Sequence, residues 1–167
     1  MTSRPLFTAA RRVLLATALA AAFAGCATSP SQPTLADTIA NTPELSTLNG
    51  LIGQAGLTDT LQSGGPYTVF APSNEAFQAV PAKTMDELAK NPQKLKDVLS
   101  YHVVSTPLLA ADVKNSTLKT LQGGSVAVSK AGDFVTVESA AVVRANLVAA
   151  NGVVHAVDTV LLPPAKK

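Results

Sequence analysis

Thr68-Val69-Phe70-Ala71-Pro72-Ser73-Asn74-Glu75-Ala76-Phe77 is the stretch that decides the fold. Four residues suited to a strand run into a proline, which cannot continue a central ladder. Ser73 or Asn74 then stands where a helix N-cap is wanted, followed by an acid and by apolar residues at helical spacing. The reading is a strand from Tyr67 to Ala71 and a short helix that turns Ala76, Phe77 and Val80 inward. A second stretch, Asn151-Gly152-Val153-Val154-His155-Ala156-Val157-Asp158-Thr159-Val160-Leu161-Leu162-Pro163, opens on a turn dipeptide and continues as a strand that is apolar on both faces. Such a strand, predicted over Val153–Leu162, belongs in the middle of a sheet with cover on both sides.

Outward from these, helices come first and strands second. Leu35, Ile39, Leu45, Leu48, Leu51, Ile52 and Ala55 recur at three- and four-residue intervals. Thr42-Pro43-Glu44 reads as a cap, a first-position proline and a first-turn acid. Asn49-Gly50 opposes that helix by about 1 kcal/mol, but strand alternation fails on both sides of it. Thr84-Met85-Asp86-Glu87 reads as a capping box, and Asn91-Pro92 as a cap before a helix carrying Leu95, Val98, Leu99 and His102 on one stripe. Short β runs follow at Thr117–Leu121, Val126–Ser129, Phe134–Val137 and Val142–Val148, separated by glycine turns. The fold class is α+β.

Three boxes of this chain, Thr68–Phe77, Tyr101-His102 within Val98–Val104, and Asn151–Pro163, resemble in order and spacing those of the fasciclin (FAS1) domain family. The resemblance spans roughly Thr34 to Pro163. It implies a fasciclin-like wedge of two packed β-sheets with helices, in which Phe70, Pro72, Asn74, Phe77, Asn151, Gly152, His155 and Asp158 are structural box residues. It also implies a non-enzymatic adhesion or interaction module, with Tyr101-His102 as the candidate interaction motif. Ligand binding of a small apolar molecule, a carotenoid or a lipid, is the alternative the family offers.

Ahead of the domain, Arg4, Arg11 and Arg12 precede an apolar run from Val13 to Ala24 that ends in Phe23-Ala24-Gly25-Cys26. This is the layout of a signal peptide over residues 1–25. The ending resembles a bacterial lipobox with Phe23 in place of the usual leucine, so Cys26 is the candidate lipidation site. In the other reading an ordinary secretory peptide is cut nearby and Cys26 is a bystander. Residues 26–33 then form the lipidated cysteine and a polar, proline-containing tether, residues 34–163 the domain, and 164–167 a tail. The expected location is the bacterial envelope: an outer-membrane lipoprotein, its membrane contact the N-terminal lipid, or else a secreted protein. Its partner would be an envelope, matrix or host-surface molecule.

Composition narrows the chemistry. Without residues 1–25 there are ten Lys and Arg against eleven Asp and Glu, so bulk charge gives no reason to bind nucleic acid. Cys26 is the only cysteine, and His102 and His155 are the only histidines. Two histidines without spaced carboxylates fall short of a metal site, so neither metal nor cofactor is expected. Both sit in apolar runs, which suits a buried neutral imidazole bonded to backbone. Nucleophile, phosphate-loop and paired-cysteine motifs are absent from the sequence, and catalysis is not expected.

Overall fold

The computed structural model describes residues 32–163. The leader, Cys26 and the tail lie outside that range. Helix α1 (Leu35–Ala40) starts at a reciprocal box in which the Thr34 hydroxyl caps the Asp37 amide and the Asp37 carboxylate accepts from the Thr34 amide. Asp37 is held below the usual carboxylate range by the Thr34 hydroxyl, which also donates to its carboxylate at 2.7 Å, and then by the Thr34 amide. A 3-10 turn, Pro43–Leu45, leads into α2 (Ser46–Gln54). Thr42 is not the cap its sequence position suggests. Its hydroxyl donates back to the Thr38 carbonyl at 2.7 Å, and the Thr47 amide in the first turn of α2 is capped instead by Asn74, 27 residues away. The Asn49-Gly50 pair does sit inside α2, where open space surrounds Gly50. Gly56, at φ +65°, ends the turn after α2. A helix that periodicity had not separated, α3 (Thr58–Ser63), follows at once.

Strand β1 (Tyr67–Pro72) and helix α4 (Asn74–Ala79) form as the sequence predicts, with Ser73 as the cap of α4. Helix α5 (Ala82–Lys90) departs from prediction: its N-cap is Pro81, so Thr84 lies inside it and forms no capping box. Asn91 caps α6 (Pro92–Tyr101) through the Lys94 amide at 3.2 Å, and Leu95, Val98, Leu99 and His102 are buried along one side.

The remaining strands are β2 (Val103–Val104), β3 (Ser116–Lys119), β4 (Ser125–Ala131), β5 (Phe134–Val137), β6 (Ala140–Ala149) and β7 (Gly152–Val157). They form one seven-stranded sheet ordered β2-β1-β7-β6-β5-β4-β3. A bridge between Val104 and Thr120 brings its two ends together, so the sheet is nearly a barrel. Strand β7 is central, parallel to β1 and antiparallel to β6, and all but its first residue are buried. It stops at Val157, five residues before the sequence suggested. There the Asp158 amide donates to the Ala141 carbonyl and its carboxylate accepts from the Ala141 amide at 2.8 Å, closing the ladder. Five steps along β6 from Val142 to Leu147 match three along β7 from Val157 to Val154, so β6 carries two bulges and bends sharply.

Two cores result. One lies between the helices and the β1–β7 part of the sheet, centred on Leu35, Ile39, Leu45, Val69 and Val154. The other fills the space inside the nearly closed half, with Phe70, Tyr101, Val126, Val128 and Val137. Each fully buried aliphatic side chain contributes about 2 kcal/mol of transfer free energy.

Candidate functional site

The residues singled out in the sequence fall into two groups: knots that hold the fold together, and a crevice where two boxes meet. Phe70 is fully buried and stacks on the His155 ring, centroids 5.8 Å apart. Phe77 faces the helical core. The side chain of Asn151 accepts from the Leu35 amide (2.8 Å) and donates to the carbonyls of Leu61 (2.8 Å) and Gly64 (2.6 Å). It thereby ties the start of α1 and the end of α3 to the β6–β7 turn. Gly152 pairs with Tyr67, and a β-carbon there would meet the Tyr67 carbonyl oxygen. A side chain at this position is incompatible with the parallel pair.

Both histidines are interior groups. His102 donates from Nδ1 to the Val98 carbonyl at 2.8 Å and accepts at Nε2 from the Leu161 amide at 2.9 Å. His155 donates from Nε2 to the Leu108 carbonyl at 2.8 Å and accepts at Nδ1 from the Asn146 amide at 3.2 Å. Backbone partners thus fix the tautomer of each. Burial pushes His102 down to about 4 and lowers His155 as well, in each case against a smaller upward pull from the carbonyl it bonds. With both ring nitrogens committed, neither is placed to exchange protons with a substrate.

Tyr101 is 4% exposed and His102 1%, so the pair is part of the core rather than of the surface. The Tyr101 hydroxyl donates to the Ser125 carbonyl at 3.0 Å, and its side chain lines an opening of about 490 Å³ with Glu138, Ser139 and Leu162. Burial, then the Glu138 charge, raises its ionisation above the usual phenol range. An apolar cavity beside His102, lined by Leu48, Ile52, Leu61 and Val69, has room for only about 10 Å³, the space of a single water. That is far below the several hundred cubic ångströms a drug-sized ligand needs.

The largest opening by volume among those described lies where β1 and β7 end. These strands run parallel, so the chain leaves both at the same pole, at Ser73-Asn74 and at Asp158. Crevices at the carboxyl ends of adjacent parallel strands are common ligand positions, because diverging loops leave space there. Here the crevice is about 510 Å³ and is lined by Glu44, Ser73, Asn74, Glu75, Val143, Arg144 and Asp158. Arg144 Nη1 reaches Glu44 Oε1 at 2.9 Å, an exposed ion pair. Asp158 is engaged by Ala141 and Thr159, and Asn74 by Pro43, Ser46 and Thr47. Val143, 62% exposed, supplies an apolar wall. It lies on the stretch of β6 beyond Ala141, where no strand pairs on the β5 side among the described residues. Sequence reading named Asn74 and Asp158 but missed Val143, Arg144 and Glu75. The available signal was that Arg144 is the one arginine after residue 12.

Comparison with known proteins agrees with this architecture. The family described as "Fasciclin domain" matches residues 43–163. Immunogenic protein MPB70 of Mycobacterium bovis is 44% identical over 140 residues, covering 81% of this chain and 72% of that protein. Cell surface glycolipoprotein MPB83 of the same species is 38% identical over 141 residues, covering 81% of this chain and 63% of that protein. Transforming growth factor-beta-induced protein ig-h3 of Sus scrofa is 42% identical over 139 residues, 83% of this chain but only 20% of that much longer protein. Among solved structures, a FAS1 domain pair from the insect cell adhesion molecule Fasciclin I superposes with a TM-score of 0.63 at 18% identity, over 80% of this chain and 52% of that one. The chain belongs to the fasciclin domain family.

Proposed function

We propose that this protein is an exported, non-enzymatic interaction module. Cys26 holds it by lipid at a bacterial membrane, and it docks partners through the Val143–Arg144 end of β6 and the adjoining crevice. The observation that carries the reading is the contrast between the two candidate surfaces. Tyr101-His102 is enclosed, whereas Val143 stands exposed beside an unpaired strand stretch and a crevice holding Arg144, Glu75 and Asp158. An apolar centre with a charged rim is the usual anatomy of a docking surface. The commitment of both histidines to backbone partners supports a non-enzymatic role. The names of two relatives, a cell-surface glycolipoprotein and a cell adhesion molecule, support display outside the cell.

The test is proximity crosslinking on intact cells of the native host. Wild type is compared with Val143→Asp/Arg144→Glu, and Tyr101→Phe serves as an interior control. A partner captured by wild type and Tyr101→Phe but lost in the surface double variant supports the assignment. Equal capture by all three, with folds intact by circular dichroism, refutes it. Anchoring is read separately: Cys26→Ala moves the protein from the membrane to the soluble fraction and abolishes incorporation of a labelled fatty acid. Unchanged partitioning refutes the lipid.

A further inference from the structure

Residues 105–115, between β2 and β3, cross the nearly closed half of the sheet without joining it. Their described attachments to the rest of the domain run through side chains. The Thr68 hydroxyl, fully buried, donates to the Thr106 carbonyl at 2.7 Å and accepts from the Leu108 amide at 2.8 Å. His155 Nε2 donates to the Leu108 carbonyl at 2.8 Å, and Asn146 Oδ1 accepts from the Ala110 amide at 2.9 Å. Lys130 completes the set, its Nζ donating to the Ala111 carbonyl and its amide accepted by Asn115 Oδ1. Beneath, Leu108, Ala110 and Val113 pack on the second core with Phe70, Val104 and Val126.

His155 sits at the centre of these anchors in a setting that tolerates only the neutral ring. Its Nδ1 accepts from the amide of Asn146, and Asn146 is held at φ +60° in the bulged part of β6. A proton taken from solvent onto Nδ1 turns that acceptor into a donor aimed at another donor. The same bulge residue carries the Ala110 anchor, so one protonation disturbs the β6–β7 bulge and, through it, an attachment of the segment. Strands β1 and β7 bring no charged side chain to the ring. Arg144 on β6, Asp112 and Lys114 on the crossing segment and Lys130 on β4 are the charges on the elements around it. None of them bonds to the imidazole among the described contacts. A cation formed there would be buried without a counter-charge, which is costly unless the surroundings open.

We propose that residues 105–115 form an acid-released strap: protonation of His155 detaches the segment, uncovering the apolar surface of Phe70, Val104 and Val126, and deprotonation restores it. The depressed ionisation of His155 places the release below the ordinary histidine range. The β-ladders do not depend on the strap's anchors, so the strap lets go while the sheet persists.

The experiment is an NMR pH titration of the labelled full domain, from pH 7.5 down to the onset of global unfolding. Backbone amides and the His155 ring nitrogens are followed together. The amides of Thr106 to Val113 should lose their native signals with the same midpoint as the His155 ring, while β4 and β5 amides remain. His155→Gln offers one amide donor and one carbonyl acceptor but no titration, and should hold the strap down to global unfolding. Thr68→Val removes a strap anchor without touching the ring and should move the midpoint toward neutral pH, since a looser strap opposes protonation less. Strap amides that persist until the sheet itself melts overturn the proposal. So does an unchanged strap transition in His155→Gln. Should His155→Gln not fold, a Thr68→Val midpoint identical to wild type overturns it independently.

Discussion

Replacing Asn151 with alanine should be among the most damaging single changes to a half-exposed polar residue in this domain. The side chain makes three short hydrogen bonds, to the Leu35 amide and the Leu61 and Gly64 carbonyls, across separations of 116, 90 and 87 residues. Leu35 is fully buried and Leu61 nearly so, and water reaches their backbone groups poorly once the amide is gone. At about 1 kcal/mol net for each bond, with part of the desolvation cost of an orphaned donor added, the loss comes to about 3 kcal/mol. A domain of this size has about 5–15 kcal/mol in total. The melting temperature should therefore drop by about 10 °C. Urea unfolding followed by circular dichroism at 222 nm measures the change directly. Asn151→Asp keeps an acceptor for Leu35 but turns a carboxylate toward two carbonyls, so at pH 7 it should be no better than alanine. A loss under about 1 kcal/mol for Asn151→Ala, or an aspartate variant close to wild type, would refute the view that this amide is the knot between α1, α3 and the β6–β7 turn.

Other outcomes follow from the same geometry. His102 stays neutral in the folded protein down to about 4, while in the unfolded chain it takes up a proton near 6.5. Between those values the unfolded state binds more protons, so stability falls as pH drops, by about 3 kcal/mol across the window. Urea midpoints at a series of pH values should show that slope, and His102→Gln should flatten it. Gly152→Ala drives a β-carbon into the Tyr67 carbonyl. It should cost about 3 kcal/mol or prevent accumulation of soluble protein, and a variant that melts like wild type would contradict the parallel register. Asn74→Ala removes the cap of the Thr47 amide and the bond to Pro43. It should cost about 1 kcal/mol, with Asn74→Asp sparing most of that loss because the acceptor for the Thr47 amide survives. Differential scanning calorimetry separates the two.

Much of this fold was legible because local rules and tertiary packing agree. The strand ending at Pro72, the Ser73 cap and the Asn91-Pro92 start of α6 are written in adjacent residues. The uniformly apolar β7 could lie nowhere but mid-sheet. Where reading failed, the partner was distant. Thr84-x-x-Glu87 has the letters of a capping box, yet the helix has its N-cap a turn earlier, at Pro81. Helix α3 has only Leu57 and Leu61 as inward periodic positions, too few to show a period. Asn74, offered with Ser73 as the cap of the helix after β1, does not cap α4; its side chain accepts from the Thr47 amide of α2 instead. The site was less legible than the fold. Tyr101-His102 was singled out by the family resemblance and lies inside, while the crevice is assembled from the 3-10 turn, the β1–α4 junction, β6 and the end of β7. No spacing rule links those four segments, since the parallel pairing that gathers them is a property of the closed sheet.

The direction of β7 gives the domain a top and a bottom. Its first residue, Gly152, follows Asn151, whose side chain bonds the start of α1, and the neighbouring Ala150 amide donates to the Pro33 carbonyl. The polypeptide therefore enters the domain at the Asn151 pole. Six residues on, about 20 Å away at strand rise, β7 ends against Ser73 and Asp158 at the crevice. The chain before Pro33 joins the domain at one pole, and the Val143–Arg144 crevice opens at the other. A molecule leashed by its leading end would stand on the Asn151 pole and hold the crevice outward, toward whatever approaches from beyond.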